Sequence, residues 1–309
     1  MTRSPTAARR IVVVVNAGSG QGSAEALADR VEAAFRDAGA QAEVRLARGG
    51  PELEAALEVA IAQRPDVIVA AGGDGTVSMV GAALVDRDIA LGVLPLGTLN
   101  HFAKDFGLPL EVEAAVAHVV QGRPVRIDVG EVNGRVFVNN SSLGLYPDIV
   151  RDRERQQRRF GWGKWPALAW ATLAALRRFP FLSVRLSVDG REQRWRTPFV
   201  FVGNNEYLME GFAIGARAGM QDGVLSLYVA QRTGRLRLLQ LVLRALLGRL
   251  RQARDFSATR AVEIVVESGH HRLRVAVDGE VTVMTPPLLY RIRRASLQVL
   301  RAEPLPGNA

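Results

Sequence analysis

The sequence predicts a protein of the α/β plus mostly β class. A Rossmann-like parallel α/β domain is expected over residues 9–126, then a C-terminal antiparallel β-sandwich domain with helical inserts over residues 127–303. Three observations lead there. At 309 residues the chain exceeds the roughly 250 to 300 at which one hydrophobic core stops growing, so two domains are expected. Up to Gln121, short β-branched runs alternate with helix-period segments, the mark of βαβ units. Beyond Arg126, strand-like runs follow one another across Asn-Gly and Asp-Gly pairs, strong hairpin signals.

Taken in order, Ile11 to Asn16 reads as a strand, Ser23 to Ala38 as a helix and Ala42 to Ala47 as a strand. Pro51 to Gln63 is then a helix, Asp66 to Ala71 and Ala90 to Leu94 are strands, and Glu111 to Gln121 is a helix. Val12 to Val15 and Val67 to Ala71 are apolar at every position, as suits central strands covered on both faces. In the second domain, hairpins are expected at Asn133-Gly134, Asp189-Gly190 and Asp278-Gly279, with helices near Pro166 to Phe179 and Leu236 to Ala253. Hydrophobic residues at 48% and charged residues at 23% allow a large core and argue against general disorder. The absence of cysteine excludes disulfide scaffolds, thiolate nucleophiles and Cys-ligated zinc.

The net charge of +9 is unevenly spread. Residues 1–127 carry 12 basic and 15 acidic side chains, whereas residues 128–309 carry 28 and 16, a net +12 that suits an anionic partner. Ile11 to Val15 is too short for a signal-peptide core, and no segment has the roughly 18 uninterrupted apolar residues of a membrane span, so a cytoplasmic location is expected.

Three loops close strands at what should be one edge of the parallel sheet: Asn16-Ala17-Gly18-Ser19-Gly20, Gly72-Gly73-Asp74-Gly75-Thr76 and Gly97-Thr98-Leu99-Asn100. Ligands of open α/β sheets bind at that edge, and glycines let backbone N–H groups approach phosphate oxygens. Together the loops predict a nucleotide site, although none matches a Walker loop or a dinucleotide turn. Asp74 stands out, because a carboxylate beside phosphates is repelled unless it holds Mg²⁺ or accepts a proton; it could equally cap the helix that follows.

These residues resemble the bacterial soluble diacylglycerol kinases, relatives of sphingosine kinases and, more distantly, of ATP-NAD kinases and phosphofructokinases. The likeness runs along nearly the whole chain. Its strongest piece is Gly72-Gly73-Asp74-Gly75-Thr76 followed by Leu94-Pro95-Leu96-Gly97-Thr98-Leu99-Asn100-His101-Phe102-Ala103. Ile127-Asp128-Val129-Gly130, Gly211-Phe212, Asp222-Gly223-Val224-Leu225 and Asp278-Gly279-Glu280 come in the family's order. The resemblance implies ATP and Mg²⁺, with the nucleotide in an interdomain cleft and a lipid as acceptor. It also implies Asp74 near the Mg·ATP phosphates, Glu280 as general base and Asp222 as a ligand of a structural Mg²⁺. By residue pattern alone, Asp278-Gly279-Glu280 reads as a hairpin turn with a solvated glutamate. The chain departs from the family at His101, where an aspartate is usual, at Gln221-Asp222, where two acids are usual, and at Met209-Glu210-Gly211, where glycines cluster.

Two basic segments bear on the acceptor. Arg151 to Arg178 has eight basic and two acidic residues among Phe160, Trp162, Trp165 and Trp170, and Arg232 to Arg254 has seven arginines and no acid among many leucines. Arginine with tryptophan or leucine at helical spacing suits a helix lying in an anionic membrane surface, and equally a helix packed on a sheet with solvated arginines. Peripheral attachment to the inner face of the membrane is therefore expected. Two rivals remain open: a kinase of a soluble metabolite such as NAD, and a non-enzymatic basic protein binding membrane or nucleic acid. No nucleic-acid module is recognisable, so no nucleic-acid partner is expected.

Overall fold

A computed structural model describes residues 9–19, 24–144, 182–208, 216–217, 219–230 and 256–302. The two basic segments, the helices expected within them, Gly20 and Gly211-Phe212 lie outside the described residues. The chain divides into two compact units, residues 1–127 with 295–309, and residues 128–294.

The first unit contains β1 (Ile11–Asn16), α1 (Ala24–Asp37), β2 (Ala42–Ala47), α2 (Gly50–Ala62), β3 (Val67–Gly72), α3 (Asp74–Leu84), β4 (Ala90–Pro95), α4 (His101–Asp105) and α5 (Val112–Gln121). Its strands run parallel in the order β2-β1-β3-β4. β3 and β4 are buried at every position and β1 at all but its last, as the unbroken apolar runs predict. Ala28, Val31, Ala34 and Phe35 form the buried stripe of α1, spaced to face the sheet once per turn, and Val31, Ala34 and Phe35 join Val13, Val69 and Val116 in one core.

β5 (Arg123–Val132) leads from the first unit into the second, which continues with β6 (Arg135–Phe137), β7 (Asn140–Gly144), β8 (Leu182–Val188), β9 (Arg191–Thr197), β10 (Phe199–Asn204), β11 (Tyr207–Leu208) and β12 (Ala216–Arg217). It is completed by β13 (Leu225–Ala230), β14 (Phe256–Ala261), β15 (Glu263–Ser268), β16 (Leu273–Val277), β17 (Glu280–Met284) and β18 (Leu288–Arg301). One antiparallel layer has the order β14-β13-β10-β7-β16-β17, and β18-β15-β8-β9 forms the other. Alternate residues of both layers, among them Leu143, Val202, Leu227 and Val275 from one and Leu186, Ile264 and Tyr290 from the other, share one core, which makes this unit a sandwich. The expected hairpins are present, with Asn133-Gly134, Asp189-Gly190 and Asp278-Gly279 all at positive φ, as a two-residue type I′ turn requires.

One boundary differs from expectation. The second domain was expected to run to residue 303, but residues from Ala295 onward group with the first unit. The cause is the length of β18: Ala295 lies at φ 49°, and beyond it Val299 pairs in parallel with Leu91 of β4. Beside this strand, His118 of α5 accepts the Ala302 N–H at Nε2 (3.1 Å). Burial lowers the His118 pKa, against the Leu300 carbonyl, which raises it, and the Arg301 charge lowers it further. The unfolded chain therefore binds this proton first, near pH about 6.5. The stability His118 contributes is complete above that pH and is lost progressively as pH falls toward the folded value. Thermal melts of the wild type should weaken across this window more than those of His118→Gln; parallel profiles would remove His118 from the account.

Candidate active site

The three glycine-rich loops leave adjacent parallel strands, so they emerge side by side at one sheet edge. They are also bound to one another. Asn16, closing β1, donates through Nδ2 to Thr76 Oγ1 (3.1 Å) and accepts the Gly18 N–H at Oδ1 (3.1 Å). Leu96 donates its N–H to the Gly72 carbonyl (2.9 Å). The Asn100 side chain accepts the Gly97 N–H (3.0 Å) and donates to the carbonyls of Gly97 (2.9 Å) and Pro95 (3.2 Å), holding its own backbone in the left-handed region at φ 50°.

Asp74 neither caps its own helix nor stands apart. The N-cap of α3 is Gly73, without a side-chain cap, and the Asp74 carboxylate reaches across to accept the Phe102 N–H (3.1 Å). It thereby joins the second loop to the third.

Gly73 and Gly97 pack backbone to backbone. A Cβ on Gly97 would lie 2.5 Å from the Gly73 Cα, whereas one on Gly73 would lie 3.4 Å from the Gly97 Cα. Gly73 itself has φ −85°, which any residue adopts, so the need for glycine rests on Gly97. Gly72 is also restricted, because a Cβ there would meet Oγ1 of the buried Thr76 at 2.4 Å. Gly75 and Thr98 are exposed, and the space beside Gly75 is open. The side chain of Ser19 is outside the described residues. Gly97→Ala should push the two loops apart and weaken Mg·ATP binding at least tenfold in titration calorimetry, whereas Gly73→Ala should bind within about threefold of wild type. Equal effects at the two positions would contradict the packing described.

The second unit holds Glu280 and Asp222. Glu280 opens β17 directly after the Asp278-Gly279 turn; its side chain is exposed, and Oε2 accepts the Arg135 guanidinium (2.6 Å). Asp278 is used structurally instead. Its carboxylate accepts the N–H groups of Val138 (2.8 Å), Asn139 (2.8 Å) and Asn140 (3.0 Å), fixing the turn to the start of β7. Asp222 lies exposed in the loop before β13, with β10, β7 and β16 between that strand and β17.

Residue patterns alone missed the buried polar group behind that loop. Asn139, Asn204 and Asn205, which sit at strand ends, are buried, and Asp128 is 3% exposed. Asp128 Oδ2 accepts the Gly223 N–H (2.8 Å), and Asn204 donates to the carbonyls of Asp128 and Val138 (both 2.9 Å). The available signal was Asn204-Asn205 one residue after the apolar run Phe199 to Val202, where a strand carries its polar end inward.

The donor chemistry suits the two implied groups unequally. The close glycine approach and the N-terminal end of α3 fit phosphate oxygens of a nucleotide. A structural Mg²⁺ needs near-octahedral oxygen donors, and among the described residues no three His, Cys, Asp or Glu side chains cluster; Asp128 is spent on Gly223.

Two family models cover most of the chain: "Diacylglycerol kinase catalytic domain" matches residues 10–132, and "YegS C-terminal NAD kinase beta sandwich-like domain" matches residues 150–301. A diacylglycerol kinase of Mycobacterium tuberculosis is 30% identical over 303 residues, covering 94% of this chain and 95% of its own. The chain belongs to the diacylglycerol kinase family. It is accordingly a kinase, and the resemblance read from its glycine loops and downstream motifs stands. A probable YegS-like lipid kinase of Pectobacterium atrosepticum is 34% identical over 187 residues, 57% of this chain and 60% of that one. A crystal structure of a putative diacylglycerol kinase from Bacillus anthracis str. Sterne superposes with a TM-score of 0.73 at 21% identity, covering 95% of this chain and 97% of that one. A second diacylglycerol kinase structure from that source gives 0.68 at 19%, covering 96% and 98%. These likenesses establish the shared fold. Among the described residues no helix is long and apolar enough to cross a membrane.

Proposed function

We propose that the protein transfers the γ-phosphoryl group of ATP to the hydroxyl of a lipid, diacylglycerol or a relative of it, at an anionic membrane surface. The observation that carries the reading is the interlocked set of three loops in a chain of this family, joined by Asn16–Thr76, Asp74–Phe102 and the Gly73–Gly97 approach. Phosphoryl transfer asks a protein mainly for positioning and charge management, which backbone N–H groups and a few polar side chains supply. The loops Asn16 to Gly20, Gly72 to Thr76 and Gly97 to Asn100 bind the phosphates, and Asp74 manages charge or a proton beside them. Glu280 acts as the base: the lipid hydroxyl gives it a proton as the oxygen bonds to phosphorus and ADP leaves. Arg135, paired with Oε2, holds that carboxylate in one rotamer. Mg²⁺, when bound with ATP, would shield the phosphate charge. The net +12 of residues 128–309 favours an anionic surface as the place of work, with the protein cytoplasmic and peripheral.

Initial rates with diacylglycerol in vesicles test this. The rate should rise with the anionic lipid fraction and fall with added salt, because exposed charges are screened beyond about 8 Å at physiological ionic strength. A rate indifferent to both would remove the membrane surface from the reading, and no labelled lipid at all would remove the lipid.

A further inference from the structure

β2 is the outermost strand of the parallel sheet. One side of it pairs with β1 without interruption from Ile11–Ala42 to Asn16–Ala47, and among the described residues no strand pairs with the other side. A free strand edge presents unpaired N–H and C=O groups, a template for another strand unless proline, lysine or a bulge blocks it. Ala42-Glu43-Val44-Arg45-Leu46-Ala47 has none of these. Its two charges are opposite in sign and flank Val44.

Alternation gives the strand two faces. Ala42 and Val44 pack on the core shared with Val31 and Phe35 of α1, so Leu46, 38% exposed, lies on that side too. Glu43 and Arg45 lie on the other side, where Glu43 accepts from Nε2 of Gln63 at the end of α2 (3.2 Å) and is ion-paired with Arg45. That pair leaves Nε of Arg45 without a partner. Val59, one helical turn before Gln63 and so on the same side of α2, is 48% exposed. Both flanks of the free edge therefore carry exposed apolar surface.

The order of these residues is self-complementary. A second copy of β2 laid antiparallel about a two-fold axis normal to the sheet keeps like faces together. With the axis at Val44, Glu43 of each copy lies opposite Arg45 of the other, with Cβ atoms about 5 Å apart. On the opposite face Leu46 meets Ala42, and the two Val44 side chains meet at the axis. Moving the axis by one residue sets Glu43 against Glu43 or Arg45 against Arg45, and like charges directly opposite are destabilising. The axis at Val44 alone matches each charge with its opposite and apolar with apolar.

We infer that the protein associates with a second copy of itself through β2, in a two-fold dimer whose parallel sheets become one. The inference does not depend on the lipid-kinase reading, since its test is assembly and not turnover. Sedimentation velocity of the full-length protein over a concentration series should show a reversible monomer–dimer equilibrium. Glu43→Arg and Arg45→Glu should each weaken it at least about tenfold, because both cross-strand pairs of the dimer turn repulsive. Mixed in equal amounts, these two variants should form a heterodimer within about threefold of wild-type affinity, since every arginine of one then faces a glutamate of the other. The double variant Glu43→Arg with Arg45→Glu should restore the homodimer. A variant that merely misfolds is not rescued by mixing. A monomer at every concentration, a dimer indifferent to both single substitutions, or single variants whose mixture stays monomeric would each overturn the assignment.

Discussion

Glu280→Gln should lower kcat by about two to four orders of magnitude, the usual span for losing a general base, with melting temperature and Mg·ATP affinity unchanged. The substitution is nearly isosteric. Glu280 is exposed at the start of β17, and the strand is held by backbone pairing with β16 and by Asp278 through three N–H groups, so the fold does not depend on the carboxylate. A Gln side-chain oxygen can still accept from Arg135, so the rotamer survives and only the proton acceptor is lost. Lost ATP binding would instead make Glu280 part of the nucleotide site. An unaltered kcat would return it to an ordinary solvated hairpin glutamate.

Asp74→Asn should reduce kcat by about a hundred- to a thousandfold, on the scale of removing one charge-managing group beside a developing anion. The Asn oxygen can still accept the Phe102 N–H, so the second and third loops remain joined and Mg·ATP should bind with similar affinity. Asp74→Ala removes both functions. It leaves that N–H without its partner and should cost about 1 kcal/mol of stability besides the activity. Equal kinetic constants for the Asn variant and wild type would reduce Asp74 to a loop tie, and equal melting temperatures for Ala and Asn would show that the tie carries no weight.

The parallel unit was legible because Val12 to Val15 and Val67 to Ala71 are apolar at every position, a pattern that only doubly covered strands tolerate. The hairpins were legible because Asn-Gly and Asp-Gly carry their positive φ in the residue types themselves. Contacts across sequence were not. Nothing local says that Asp74 bonds Phe102 or that Gly97 rather than Gly73 is sterically pinned, since both depend on β3 and β4 lying side by side. Asn204 and Asn205 were illegible for a related reason: an Asn pair at a strand end has the composition of a turn, and only the fold carries Asn204 inward to Asp128 and Val138. The boundary at Ala295 was hidden because Arg293 and Arg294 interrupt the apolar pattern of β18, while its second half completes the other unit. Asp222 and Glu280 came from family resemblance. Their roles rest on chemistry that local residue patterns do not encode.

The central claim is that this kinase uses ATP and hands the phosphoryl group to a lipid. One competition measures it: purified protein, Mg²⁺ and γ-labelled ATP, with diacylglycerol vesicles and NAD offered together, followed by partition of the label between organic and aqueous phases. Label should accumulate in an organic-soluble phospholipid, and Glu280→Gln should suppress it. Label recovered in phosphorylated NAD with none in lipid would contradict the claim and identify a soluble-metabolite kinase on the same fold.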